Sequence, residues 1–475
     1  MVSALVLILC LTLPLFMCFF FQKQRTFKNK AFPPGPRGLP IIGNLHQLDD
    51  SSLYLQLFEL SKKYGPIFSL QLGLRKAMVI SSPELAKEAL KNHDREFAGR
   101  PNLIGQQKLT YNGHVLSSRR VSSFSSIRKF EVKQWIKKIS SHASSKKVTN
   151  LNEMILSLTS TIICRIAYGR RYEDEGVERS RFHDLFNECQ AMLGAFFVSD
   201  YIPFLGWIDR LNGMHARLNK IFKELDKFYQ EVIDEHMDPN RDSSKGEDII
   251  DVLLQLKNQR SFSFDLTINH IKALFMDILV AGTDTTAATT VWAMTALIKN
   301  PRVMKKVQDE IRNIGGQKDF LEEEDIEKCI YFKAVMKETL RLHVPVPLVP
   351  KETNKTCIIQ GYKIPSKTIV YVNAWAIHRD PEAWKDPYEF YPERFLGSDI
   401  DFLGQHFEMI PFGAGRRICP GMHMGLASLD LILANLLYYF DWELPEGMKK
   451  EDIDIQMLPG ITQHKKNPLY LYCQN

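Results

Sequence analysis

Phe412-Gly413-Ala414-Gly415-Arg416-Arg417-Ile418-Cys419-Pro420-Gly421 is followed by an apolar stretch of helical periodicity at residues 422–440. That order puts Cys419 at the N-terminus of a helix, where unpaired backbone N–H groups and the positive end of the dipole stabilise a thiolate. Gly415 and Gly421 carry no Cβ, which frees the backbone for tight turns and lets a flat ligand come close. Arg417 can neutralise a carboxylate, and Phe412 can shield the sulfur from water. A lone buried cysteine is usually a small apolar residue. An aromatic, two glycines and an arginine at fixed offsets around one cysteine argue against coincidence.

The rest of the chain has to house that cysteine. With 475 residues it can bury a large core, and 45% hydrophobic against 24% charged residues excludes bulk disorder. The eight cysteines form no Cys-x-x-Cys pair and no regular spacing, which argues against a disulfide framework or a zinc site. A net charge of +6 with no basic cluster outside the N-terminal flank gives no nucleic-acid signature. No Gly-rich dinucleotide fingerprint follows a strand, so a nicotinamide cofactor has no site of its own.

Residues 2–21 contain no charge and, at about 1.5 Å per residue, reach about 30 Å as a helix, enough to span a bilayer. Lys23, Arg25, Lys28 and Lys30 follow at once. No basic region precedes the run and no small-residue cleavage site ends it, so it reads as a retained anchor rather than a signal peptide. The positive flank then places the remainder in the cytosol. Pro33-Pro34-Gly35-Pro36-Arg37-Gly38-Leu39-Pro40 cannot be helical and reads as a stiff hinge. The organisation predicted is an anchor at 1–22, a basic and proline-rich hinge at 23–45, and one large domain at 46–475.

Within that domain the pattern is mainly α with a small β portion. Helices are predicted at 83–91, 151–168, 211–237 and 267–299, a hairpin at 68–72 with 78–81, and short strands at 357–359, 368–372 and 469–472. Residues 238–246 read as a polar loop. The 267–299 helix is so long and apolar that it must run through the centre of the fold. Its middle carries a polar patch, Ala281-Gly282-Thr283-Asp284-Thr285-Thr286, which burial alone does not favour. A threonine there can bond back to the carbonyl four residues earlier and locally open the helix, leaving room beside it. Further on, Glu338-Thr339-Leu340-Arg341 places opposite charges at i and i+3, and Pro392-Glu393-Arg394-Phe395 supplies a second arginine.

Together these segments, in this order, resemble the cytochrome P-450 family, and the anchor, the proline run and Phe97-Ala98-Gly99-Arg100-Pro101 resemble its plant microsomal members of specialised metabolism. The resemblance implies the family's single haem domain. It makes Cys419 the axial ligand of haem b iron, with Arg417, Phe412, Gly415, Gly421 and Lys351 in the haem site. Asp284 and Thr285 become a proton relay for dioxygen activation, and Glu338, Arg341 and Arg394 a buried structural triad. Phe197, Ala281, Val346 and Ile461 become the substrate wall. The implied activity is insertion of one oxygen atom from O2 into a small apolar substrate at the endoplasmic reticulum membrane. Electrons would come from NADPH through a separate NADPH–cytochrome P-450 reductase.

One departure stands out. Family members carry a helix with a Trp-x-x-x-Arg motif that binds a haem propionate. Here Tyr111-Asn112-Gly113 runs straight into His114-Val115-Leu116, which resembles the sequence after that helix. Trp375 and Arg379 have the spacing but the wrong surroundings, beside Asp380-Pro381. The helix is therefore read as missing between Gly113 and His114. That leaves two rival readings open: a non-catalytic or haem-deficient variant, and a peroxide-rearranging enzyme, the latter disfavoured by the Asp284–Thr285 pair.

Overall fold

The computed structural model describes residues 32–111, 124–171, 177–241, 247–259 and 264–474. The predicted anchor, the basic flank, the junction after Gly113 and most of the 238–246 loop lie outside them. Among the described residues no single helix is long and apolar enough to cross a membrane.

The chain opens with α1 (Leu53–Tyr64) and the hairpin β1 (Ile67–Leu72) and β2 (Arg75–Ile80), then α2 (Ile104–Leu109) and α3 (Ser125–Ser144). A two-residue strand β3 (Thr149–Asn150) leads into α4 (Leu151–Tyr168), α5 (Val177–Leu193), α6 (Met214–Met237), α7 (Ile249–Asn258), α8 (Ile268–Lys299), α9 (Pro301–Gly315) and α10 (Ile330–Leu342). Strands β4 (Leu348–Glu352), β5 (Cys357–Ile359), β6 (Tyr362–Ile364) and β7 (Ile369–Asn373) precede α11 (Met422–Tyr439), and β8 (Asp441–Glu443) and β9 (Tyr470–Gln474) close the fold. The main sheet runs β1-β2-β7-β4, with β2 parallel to β7 and the other pairs antiparallel.

α8 is the axle of the fold. Thr267 caps it by accepting from the His270 N–H, while His270 Nδ1 accepts from the Thr267 N–H at 3.1 Å; Asn300-Pro301 ends it. Its 32 residues span about 48 Å at 1.5 Å per residue, and nearly every side chain from Ile271 to Ile298 that does not face a cavity is buried. It packs along α4 and α11 inside one apolar cluster that also takes in α9 and α10. Gly282 marks the tightest crossing: a Cβ there would stand 2.8 Å from Ile163 Cδ1 on α4.

Two boundaries differ from the sequence pattern. The helix expected at 211–237 breaks at Gly213, whose left-handed φ of +78° ends a short turn at Leu211 and lets α6 start at Met214. The helix expected at 83–91 is α-helical only over Pro83–Lys87 and widens to a π-turn over Glu88–Asn92. The proline-rich run is laid against the sheet edge. The Ser69 N–H and hydroxyl donate to the carbonyls of Pro34 and Pro33 at 2.7 and 2.8 Å. A Cβ on Gly35 would strike the Ser69 carbonyl, so this close approach needs glycine.

Candidate haem site and substrate cavity

Residues 412–421 form a closed loop ahead of α11. The Cys419 N–H donates to the Phe412 carbonyl at 2.9 Å, and Gly413 and Gly415 both adopt left-handed φ values. Gly415 has a second constraint, because a Cβ would fall 1.8 Å from the Leu90 carbonyl. Gly421 differs from the expectation. Its φ of −88° is open to any residue and a Cβ would only touch the Cys419 sulfur at 3.9 Å, so its position as N-cap, not its backbone freedom, is what the site uses. Cys419 is partly exposed, whereas the other described cysteines are buried. Burial raises the Cys419 thiol, and the backbone N–H groups of Gly421 and Met422 pull against that by hydrogen-bonding the sulfur. The Phe412 ring packs edge-on against Phe402, with centroids 5.7 Å apart.

Three cations converge on the same region. Lys351 on β4 is buried, and its ammonium is pushed down to about 8 by burial and by the charges of Arg100 and Arg417. Arg417 donates to the Ala98 carbonyl at 3.1 Å. Only Lys351 is buried, without a carboxylate partner among the described residues, which is costly unless an anion meets it; Arg100 and Arg417 are exposed, and the charge of Arg100 also acts on Asp277. A cysteine sulfur under two N–H groups, together with a buried lysine and two arginines, is a donor set that fits haem iron and its propionates. Arg100, quoted in the sequence only as part of a motif, is the cation that sequence reasoning missed.

On α8 the polar patch takes a specific form. The helix stays continuous through 281–286, and the Thr285 hydroxyl donates to the Ala281 carbonyl at 2.7 Å without breaking it. The expected opening of the helix is therefore absent, because the back-bond is absorbed by the ladder; room beside it comes from a cavity. Asp284 lies 2.7 Å from His464 Nε2. Burial pushes the Asp284 carboxyl up, but the His464 hydrogen bond and charge, helped by the side chains of Thr462 and Gln190, hold it below the usual range. Nothing in the local sequence around position 464 signals this partnership, because it joins residues 180 apart.

The cavity measures about 770 Å³. Ala281, Val346 and Ile461 line it as expected, along with Thr285 and Asp284. Phe197 does not. It is fully buried and packs near Gly105 and His215, while Phe196 faces the cavity and stacks on Tyr201. Phe197 has extended dihedrals, and successive side chains on an extended segment point to opposite sides. The wall is also more polar than expected. Gln106, Gln107, Asn187, Gln190 and Asp277 all reach it, and burial pushes the Asp277 carboxyl up to about 6 against the pull of Arg100.

The triad assembles as anticipated. Arg341 gives Nε and Nη2 to Glu338 at 2.7 and 2.8 Å, and its remaining donors to the carbonyls of His378, Pro387 and Glu389. Arg394 Nε reaches Glu338 at 3.1 Å. Neither Trp135 nor Trp375 is placed to stand in for the missing motif. Trp135 Nε1 donates to the buried Met154 carbonyl, and the Trp375 ring lies 4.0 Å under the Arg379 guanidinium on a short helical turn.

Comparison with known proteins agrees with this geometry. The Cytochrome P450 family profile matches residues 33–472. Cytochrome P450 71A9 of Glycine max is 45% identical, with 95% of this chain and 94% of that protein covered. The 5-OH-xanthotoxin synthase of Ammi majus is 44% identical over 99% of this chain and 98% of its own. Strychnine-11-hydroxylase of Strychnos nux-vomica is 43% identical over 96% and 94%. The Ammi majus alignment runs over 501 positions against 475 residues here, so at least 26 of its positions face no residue of this chain. A cysteine loop built for a soft metal, a cation cluster fit for propionates, the acid–threonine patch and near full-length similarity lead to one conclusion: this chain belongs to the cytochrome P450 family of haem enzymes.

Proposed function

We propose that this protein is a membrane-anchored haem-thiolate monooxygenase of plant specialised metabolism that takes electrons from NADPH through a separate reductase. The placement of Cys419 carries the reading: it is the one described cysteine that is not buried, and it sits at a helix N-terminus under two N–H donors. Haem b, when bound, supplies dioxygen activation and transfer of one oxygen atom to substrate. Cys419 would hold its iron through sulfur. Arg100, Lys351 and Arg417 would hold its propionates. Asp284 and Thr285 would hold and pass a proton at the cavity edge, and the buried flank of α8 keeps bulk water from the reacting atoms. The mixed cavity wall supports a small substrate with an apolar body and hydrogen-bonding groups at one end. Relatives named 5-OH-xanthotoxin synthase and strychnine-11-hydroxylase are consistent with oxygen- or nitrogen-bearing ring systems. The uncharged run at 2–21 and its basic flank support an endoplasmic reticulum anchor with a cytosolic catalytic domain.

The experiment is an absorption spectrum of the reduced, carbon-monoxide-treated protein. The wild type is expected to show the thiolate-ligated band and Cys419→Ala to lose it, since no other residue of the loop offers a soft anion. A mutant that keeps the band refutes the assignment.

A further inference from the structure

We propose that His464 is the positioning residue of the α8 acid: it holds Asp284 as a carboxylate beside the cavity and recharges it with protons. This deepens the haem-dependent reading above and rests on it for its catalytic consequence. The contact is short and one-sided in exposure. His464 Nε2 lies 2.7 Å from Asp284 Oδ1, with the imidazole about a third open (32%) and the Asp284 side chain nearly closed (8%).

The loop that presents the imidazole is pinned from several directions. The buried Trp292 Nε1–H donates to the Gln463 carbonyl at 2.8 Å, and the Gln463 N–H to the Pro345 carbonyl at 2.9 Å. The Leu458 N–H donates to the His464 carbonyl at 2.8 Å, and Lys465 Nζ reaches Asp454 at 3.0 Å. These bonds fix the loop that holds the imidazole, with Ile461 and Thr462, beside α8 and the cavity.

The proton balance follows from the partners. An ionised Asp284 can only accept; to give a proton it must first receive one, and the N–H it contacts is that of His464. In the exchange the Nε2–H bond breaks and an Oδ1–H bond forms. As Nε2–H leaves, a hydronium ion gives its proton to Nδ1 and becomes water, so the ring stays neutral and no electrons move; exchange of the ring proton with solvent then restores the Nε2–H form. The other groups facing the pair cannot replace it. Thr462 and Gln190, which help hold Asp284, are neutral. Lys465 and Lys466 on the same loop bond to Asp454, Asn467 and Gln456. Asp277 and Arg100 line the same cavity, and the charge of Arg100 acts on Asp277.

Two readouts separate proton exchange from a mere structural pin. His464→Gln keeps an N–H donor but cannot titrate; His464→Ala removes both. In infrared spectra of the full chain, with Asp284→Asn as blank, both variants are expected to let Asp284 protonate at higher pH than wild type. In the haem-loaded, reductase-reconstituted protein, His464→Gln is expected to raise the share of NADPH electrons released as hydrogen peroxide by about tenfold and to flatten its pH dependence. A His464→Gln protein that matches wild type in both readouts overturns the proposal. If the wild type lacks the thiolate-ligated spectrum, the family chemistry fails separately, and the infrared comparison alone decides the pair: like titration in wild type and His464→Gln refutes it.

Discussion

Lys351 carries the clearest prediction at the scale of one residue. Burial and two like charges push its ammonium down to about 8, so the folded, haem-free chain sheds a proton that the unfolded chain keeps. The unfolded state then binds more protons between about pH 8 and about 10.4, and stability rises with pH across that window. The penalty below it is about 3 kcal/mol. In the full chain prepared without haem, Lys351→Met is therefore expected to gain stability at pH 7 and to lose the rise above pH 8, read from urea midpoints at both pH values. In the haem-loaded chain the same change is expected to speed haem loss to apomyoglobin, because an anion then needs the charge. Destabilisation of the haem-free chain by Lys351→Met would contradict the cation-cradle account. Cys419 and Asp284 were legible as residues because their types are out of place in their segments. Phe196 was not, since Phe196 and Phe197 are the same residue type and only the chain's path assigns one to the cavity and the other to the core.

Among elements, α8 and the α10 triad behave differently under substitution. α8 could be drawn from sequence almost to the residue, because cap, apolar run and Asn300-Pro301 stop agree. α6 could not, since a lone glycine inside a helical pattern is tolerated as often as it breaks. The triad makes a graded prediction. Glu338 and Arg341 are fully buried, and Glu338→Ala leaves Arg341 without its counter-charge at a cost of about 3–5 kcal/mol. Arg341→Ala should cost as much, because it also orphans the carbonyls of His378, Pro387 and Glu389. Arg394→Ala should cost less, since two of its bonds go to the carbonyls of Lys385 and Asp386 in exposed surroundings. Thermal unfolding of the three variants gives the ranking; an Arg394 variant as unstable as the other two would break it.

Over the whole molecule, the segment read from the sequence as missing between Gly113 and His114 is the feature with the largest consequence. On the proposed haem site, Arg100, Lys351 and Arg417 would hold the propionates without the Trp-x-x-x-Arg pair that the family resemblance leads one to expect. A lost helix also uncovers apolar surface on its neighbours at roughly 25 cal/mol per Å², so a few hundred Å² is comparable with a native stability of about 5–15 kcal/mol. The chain is expected to hold haem weakly and to turn over slowly. Grafting the corresponding helix of a relative between Gly113 and His114 is expected to raise both haem per polypeptide and reductase-supported turnover. Equal values for the two proteins would mean that the three cations suffice.

What the sequence determined by itself was whatever depends on neighbours along the chain. Helix caps, the α8 run, the turn chemistry of residues 412–421 and the i, i+3 pair of Glu338 and Arg341 are local, so their physics is written in consecutive residues. The mainly α class followed from the same periodicities. Tertiary structure alone decided the meetings across distance. Arg100 and Lys351 are 251 residues apart, yet their shared field comes from the 95–103 segment lying beside β4, where Gly99 pairs with Glu352. Asp284 met His464 because Trp292 and Pro345 fix the loop that carries it. Polar residues on α2 and α5 became cavity wall for a similar reason: which face of a short helix meets a cavity is set by the packing of its partners, not by its own pattern.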